Sequence, residues 1–129
     1  ATCDGEEPYS SLMAYITDAS GRTVYMVTLG DSRKFRNVAR NPRVSLLIDT
    51  RLLHPSPSDR VRIQALTVQG ACSTITDVST RRELLDRIAA AHPHTGELTR
   101  HADARVLAVR VEALLLLDGV NKAHYEVLR

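Results

Sequence analysis

DSRKFRNVARNPRVSLLID, residues 31–49, reads as a short helix that runs straight into a strand. Gly30 and Asp31 break whatever precedes it. The spacing predicts a helix over Ser32–Arg40, with Phe35, Val38 and Ala39 at i, i+3 and i+4 as its buried stripe. Asn41-Pro42 ends it, because the proline ring disfavours helical geometry at the residue before it. Arg43–Asp49 is then apolar on both faces, as in a strand covered from both sides. One feature breaks a local rule. The first helical turn carries Arg33 and Lys34 at the end where the helix dipole is already positive, at a cost of a few tenths to about 1 kcal/mol. With Asp31 or Ser32 as the cap, the free N–H groups converge on one spot. Thr28 and Ser32 place hydroxyls on either side of the turn. A phosphate held by those groups offsets the cost.

Outward from this segment, strands dominate. The chain opens with the end of a strand, truncated at its N-terminal side, and an Asp4-Gly5 turn. A second strand is expected over Pro8–Thr17, with Ser11, Met13 and Tyr15 on one face and Leu12, Ala14 and Ile16 on the other. Residues 18–22 (DASGR) are hairpin turn chemistry, and TVYMVTL, 23–29, is the returning strand. Residues 51–60 form a loop punctuated by Pro55 and Pro57. A long strand follows over 61–75, whose apolar phase shifts from odd (Val61, Ile63) to even (Leu66, Val68); a bulge near Gln64–Ala65 explains the shift. In the second helix Thr80 and Glu83 are spaced as a capping box, and Leu84, Leu85 and Ile88 form the inner stripe. The helix stops at His92-Pro93. Residues 94–104 read as loop and 105–119 as the last long strand. Such strands with two short helices predict a mainly β fold, a small barrel.

Composition narrows the function. At 129 residues the chain is the size of one domain, residues 1–129. It lacks an initiator Met, which points to a piece of a longer protein. Net charge is +2 and aromatics are 4%, with no Trp, against a dedicated nucleic-acid binder. No apolar run reaches 18 residues and no signal peptide is visible, so neither a membrane span nor export is expected and the compartment is read as cytoplasmic. Cys3 and Cys72 are too few for a disulfide framework and are read as free thiols. His92 and His94 with His101 lack a carboxylate or cysteine at ligand spacing and are read as surface histidines, with no metal site. No strand–Ser–helix elbow, GxGxxG or P-loop is present.

GEEPYSSLMAYI (5–16) followed by VTLGDSRKFRNVARNPRVSLLID (27–49) resembles the flavin-binding split-barrel proteins related to pyridoxamine 5′-phosphate oxidase. The match is dense over residues 5–49 and looser to about residue 118, where Val68-Gln69-Gly70 still fits. The resemblance implies an antiparallel split β-barrel of Greek-key type, a homodimer with flavin mononucleotide (FMN) in a cleft between subunits, and flavin-dependent oxidoreduction of a small molecule, without nucleic-acid or membrane partners. It assigns Ser32, Arg33 and Lys34 to the FMN phosphate, helped by Val27 and Thr28 from the strand end. Ser10, Ser11, Leu12 and Met13 match the strand along the isoalloxazine ring. No catalytic acid or base is identified.

The departures bear on the substrate. Ser11 stands where family oxidases carry an Arg, and Ala65 where a glutamine is expected. The terminal segment after Asp118 lacks the Arg-Leu-x-Asp-Arg pattern that grips pyridoxal phosphate, so efficient oxidation of pyridoxamine phosphate is not expected. Alternatives are a deazaflavin- or haem-binding relative, the latter with His92, His94, His101 or His124 as axial ligand, and a non-catalytic flavin binder. An RNA-binding role for Arg33, Arg36, Arg40 and Arg43 lacks interleaved aromatics apart from Phe35.

Overall fold

A computed structural model describes all residues, Ala1–Arg129. Its strands are β1 (Thr2–Cys3), β2 (Pro8–Tyr9), β3 (Ile16–Thr17), β4 (Thr23–Leu29), β5 (Arg43–Asp49), β6 (Gln64–Thr74), β7 (Ala104–Asp118) and β8 (Lys122–Val127). The helices are α1 (Arg33–Arg40), α2 (Val78–Ala91) and α3 (Gly96–Arg100). β1 and β2 form a small hairpin, and the main sheet has the order β3-β4-β7-β6-β5, with β8 also on β7. The expected mainly β class is observed.

Two compact units divide the chain. The first comprises Ala1–Val44 and Ala71–Arg110. In it β4 pairs antiparallel with β7, Thr28 opposite Arg105 and Leu29 opposite Ala104. The β3–β4 turn is fixed by Asp18, whose carboxylate accepts from the backbone N–H groups of Arg22 (2.9 Å) and Thr23 (3.2 Å). Val27, Ile88 and Ala104 form a buried cluster, with Ile16, Leu85 and Leu98 packed against it. This explains the apolar stripe of α2: Leu84 and Ile88 are buried, as its period requires. The α2 cap is Asp77, not Thr80; its carboxylate accepts from the Thr80 backbone N–H at 2.9 Å and hydroxyl at 2.7 Å. Those bonds, with one from Ser79, hold the Asp77 carboxyl down at about 2. Burial pushes the Cys72 thiol up to about 11, so it stays protonated.

Three other expectations in this unit need correction. The strand over Pro8–Thr17 survives only at its ends, as β2 and β3; residues 10–15 have no ladder partners and belong to no regular element. The Tyr15 carbonyl instead lies 2.7 Å from Nε2 of His92, at the C-terminal end of α2. On α1 the buried residues are Asn37 and Val38, with Phe35 half-buried and Ala39 exposed. Asn37 turns inward because its side-chain amide donates to the Thr2 hydroxyl at 3.0 Å. The stretch after His92 is not loop throughout, since Pro93–Thr95 makes a 3-10 turn and α3 follows.

The second unit comprises Ser45–Gly70 and Val111–Arg129. Here β7 and β8 form a hairpin, Asp118 opposite Lys122, turned at Gly119. β8 is a strand that no apolar alternation announces, since all its residues are exposed. The phase change near Gln64 is the start of β6 and not a bulge, because Pro57–Arg62 forms a 3-10 turn. β5 is not covered on both faces within the chain: Val44 of the first unit is buried, but Leu47 is 64% exposed.

Candidate functional site

The candidate site is built on the turn between β4 and α1. Ser32 has extended backbone angles, and its hydroxyl accepts from the Phe35 N–H at 3.2 Å, so it is the cap of α1. The Ser32 N–H itself donates to the Leu29 carbonyl at 3.2 Å. Thr28, one of the few fully buried polar residues, has its hydroxyl 2.8 Å from that of Ser32. The Lys34 ammonium comes in from the helix side, 3.5 Å from the Thr28 hydroxyl. Two hydroxyls and an ammonium thus meet at the positive end of a helix whose first turn has no acidic residue.

The three cations of that turn differ. Arg33 donates to the Glu7 carboxylate at 2.9 Å and lies over the Tyr9 ring at 4.9 Å from its centroid. Arg36 donates to the Asp31 carbonyl. Lys34 alone is turned to the hydroxyl cluster, with no carboxylate in its grip. Its compact, rotatable ammonium can meet an anion from several directions.

The cluster opens into a cavity of about 420 Å³, within the range of small-molecule sites. Thr28, Asp31, Ser32 and Lys34 line its polar end; Leu12, Met13, Ala14, Val27, Leu29 and Leu98 make an apolar wall, and His94 and Thr95 complete it. Of the residues singled out from the sequence, Leu12, Met13, Val27, Thr28, Ser32 and Lys34 come together here. Ser10, Ser11 and Arg33 do not line it. Leu29 and Asp31 flank the motif and were within reach of sequence reasoning. His94 was named from the sequence only as a possible haem ligand, and Thr95 and Leu98 not at all, because all three arrive on a turn and a short helix that lack apolar periodicity. Among the other histidines, His101 accepts from the Asp103 N–H at 3.0 Å and His124 lies on exposed β8. No three His, Cys, Asp or Glu side chains converge in a metal-holding group, and no helix is long and apolar enough to cross a membrane.

Similar architectures are known. A haem-binding protein from Mycobacterium smegmatis matches with a TM-score of 0.79 and 20% identity, covering 98% of this chain and 50% of that one. HutZ, a haem storage protein from Vibrio cholerae, matches with a TM-score of 0.72 and 16% identity over 92% of this chain and 82% of its own. A Listeria innocua protein assigned to pyridoxamine 5′-phosphate oxidase gives 0.68 and 24% identity, with 90% and 83% covered. At these identities the likeness shows the fold, a split β-barrel. No curated protein matches the sequence significantly. The family model described as pyridoxamine 5′-phosphate oxidase matches residues 1–118. With that match covering all but its last residues, this chain belongs to the pyridoxamine 5′-phosphate oxidase family.

Proposed function

We propose that the chain binds FMN and serves as a flavin-dependent oxidoreductase for a small molecule. One observation carries the reading: the Thr28 and Ser32 hydroxyls and the Lys34 ammonium converge at the start of α1, on the polar end of an otherwise apolar cavity. That donor set suits a phosphate dianion, which draws on the helix dipole, the N–H groups and a charge-assisted hydrogen bond together. The apolar wall suits a flat, poorly hydrated ring system.

Lys34, Ser32 and Thr28 would hold the phosphate, and Leu12, Met13 and Val27 would lie toward the ring. When bound, the flavin supplies hydride transfer at its N5 atom. The chain contributes anchorage and orientation. No side chain in the cavity is assigned a proton-transfer step.

His94 in the same cavity favours a second reading, haem binding, in which its imidazole would ligate the iron and Lys34 would pair with a carboxylate of the group. The haem-binding and haem-storage descriptions of the Mycobacterium and Vibrio proteins give that reading weight. The absorption spectrum of the purified chain separates the two. Flavin bands, released on denaturation and identified as FMN, support the first reading. A Soret band that His94→Ala abolishes supports the second and rejects the first. No uptake of added FMN at micromolar concentration also rejects the first.

A further inference from the structure

The cluster at Thr28, Ser32 and Lys34 needs a rigid base, because the turn before a helix is otherwise a soft element. That base comes from the start of β7. The Gly30 N–H donates to the Asp103 carboxylate at 3.0 Å and also faces the Asp103 carbonyl at 3.3 Å. The same carboxylate holds Arg105 through Nε at 3.2 Å and Nη2 at 2.9 Å. The Arg105 guanidinium lies 5.8 Å from the centre of the Phe35 ring in the first turn of α1. Gly30 and Phe35 bracket Ser32, so one carboxylate grips the turn on both sides of the cap.

Gly30 is itself part of the device. Its backbone does not require glycine, but a Cβ there would stand 2.9 Å from both Asp103 carboxylate oxygens. The missing side chain admits the carboxylate. Strand register supports the geometry: Arg105 sits opposite Thr28 and Ala104 opposite Leu29, which puts Asp103 beside Gly30.

We propose that Asp103 is a positioning residue for the anion cradle, fixing the 29–32 turn directly and the first turn of α1 through Arg105. The proposal rests on the phosphate reading above and extends it to a residue outside the lining of that cavity. Asp103 acts through backbone and neighbour, not by touching the ligand. Its loss loosens the cradle for a phosphate and leaves the apolar wall as it is.

The test titrates the whole chain with FMN and with riboflavin, which lacks the phosphate, following flavin fluorescence quenching. Wild type, Asp103→Ala, Asp103→Asn, Gly30→Ala and the double variant are compared. Asp103→Ala is expected to bind FMN roughly tenfold more weakly, the scale of one lost anchoring interaction, and riboflavin unchanged. Asp103→Asn, which keeps an acceptor for the Gly30 N–H but loses the ion pair, falls between. Gly30→Ala displaces the carboxylate and resembles Asp103→Ala, and the double variant is no worse than either single change. Full retention of FMN preference in Asp103→Ala overturns the proposal while the phosphate reading stands. Equal loss of both flavins overturns it too, since the residue then serves the fold. Should Asp103→Ala not fold, Asp103→Asn and Gly30→Ala decide by the same comparison. Equal affinity of wild type for FMN and riboflavin sinks the phosphate reading itself, before any variant is considered.

Discussion

Three basic residues within one turn of α1 are not equivalent, and their partners rank them. Arg33 is engaged by Glu7 and Tyr9, and Arg36 by the Asp31 carbonyl, which leaves Lys34 facing the two hydroxyls. Lys34→Ala should therefore lower FMN affinity by roughly ten- to hundredfold, the size of one charge-assisted hydrogen bond. Arg33→Ala should cost less and Arg36→Ala least, with riboflavin binding unchanged in all three. Fluorescence titration reads the order, and Lys34→Ala binding FMN like wild type would sink the assignment. Asp77 offers a separate test of residue-scale physics. Its carboxyl sits near 2, held down by hydrogen bonds from the Thr80 hydroxyl and N–H and from Ser79. A folded value below the unfolded one, about 3.9, means that the stabilisation is fully present above about pH 5 and lost as pH falls toward 2. Asp77→Ala should lower Tm by a few degrees at pH 7. The gap from wild type should close between pH 5 and pH 2 in thermal melts followed by circular dichroism.

Elements differ in how much of their cause is local. β4 and the boundaries of α1 were legible because β-branched alternation, a serine cap and Asn41-Pro42 all lie within the segments they define. Residues 10–15 show the same alternation as a strand, yet a strand also needs a partner; the Tyr15 carbonyl is taken by His92, distant in sequence. Asn37 defeats the apolar stripe of α1 for a related reason, since its inward turn depends on Thr2. Half of the candidate site was readable in this sense: Thr28, Ser32 and Lys34 are neighbours along the chain, whereas His94, Thr95 and Leu98 join them only through tertiary packing. β8 left no signal because all its residues are exposed, so nothing in its sequence had to be apolar. What defines β8 is its turn. Gly119 has φ +64°, and a Cβ there would meet the Val61 carbonyl oxygen at 2.7 Å. Gly119→Ala should destabilise the protein by about 1–3 kcal/mol, the usual scale of backbone strain, before any shift to relieve the contact. Urea denaturation measures it; an unchanged midpoint would mean that the β7–β8 turn is not built as described.

At the scale of the whole molecule, the unresolved demand is apolar surface. In the second unit Leu52 is 91% exposed and Leu53 75%, and Leu47, Val61, Tyr125 and Val127 are each more than half exposed. Water-facing leucines scattered singly are ordinary, but several in one small unit call for a cover. A homodimer is the expected cover, since a two-fold interface presents the same patch twice and satisfies both copies at once. The Leu52→Glu, Leu53→Glu double variant tests this with little risk to the fold, because both side chains stand in a solvent-facing 3-10 turn. In sedimentation velocity at micromolar concentration, wild type should run as a dimer. The variant should dissociate at least tenfold more readily, because its carboxylates would be buried without partners. If FMN sits between subunits, its addition should shift wild type further toward dimer by mass action. A folded wild-type monomer at that concentration would reject the homodimer. A dimer indifferent to both charges would keep the homodimer but move its interface away from Leu52 and Leu53.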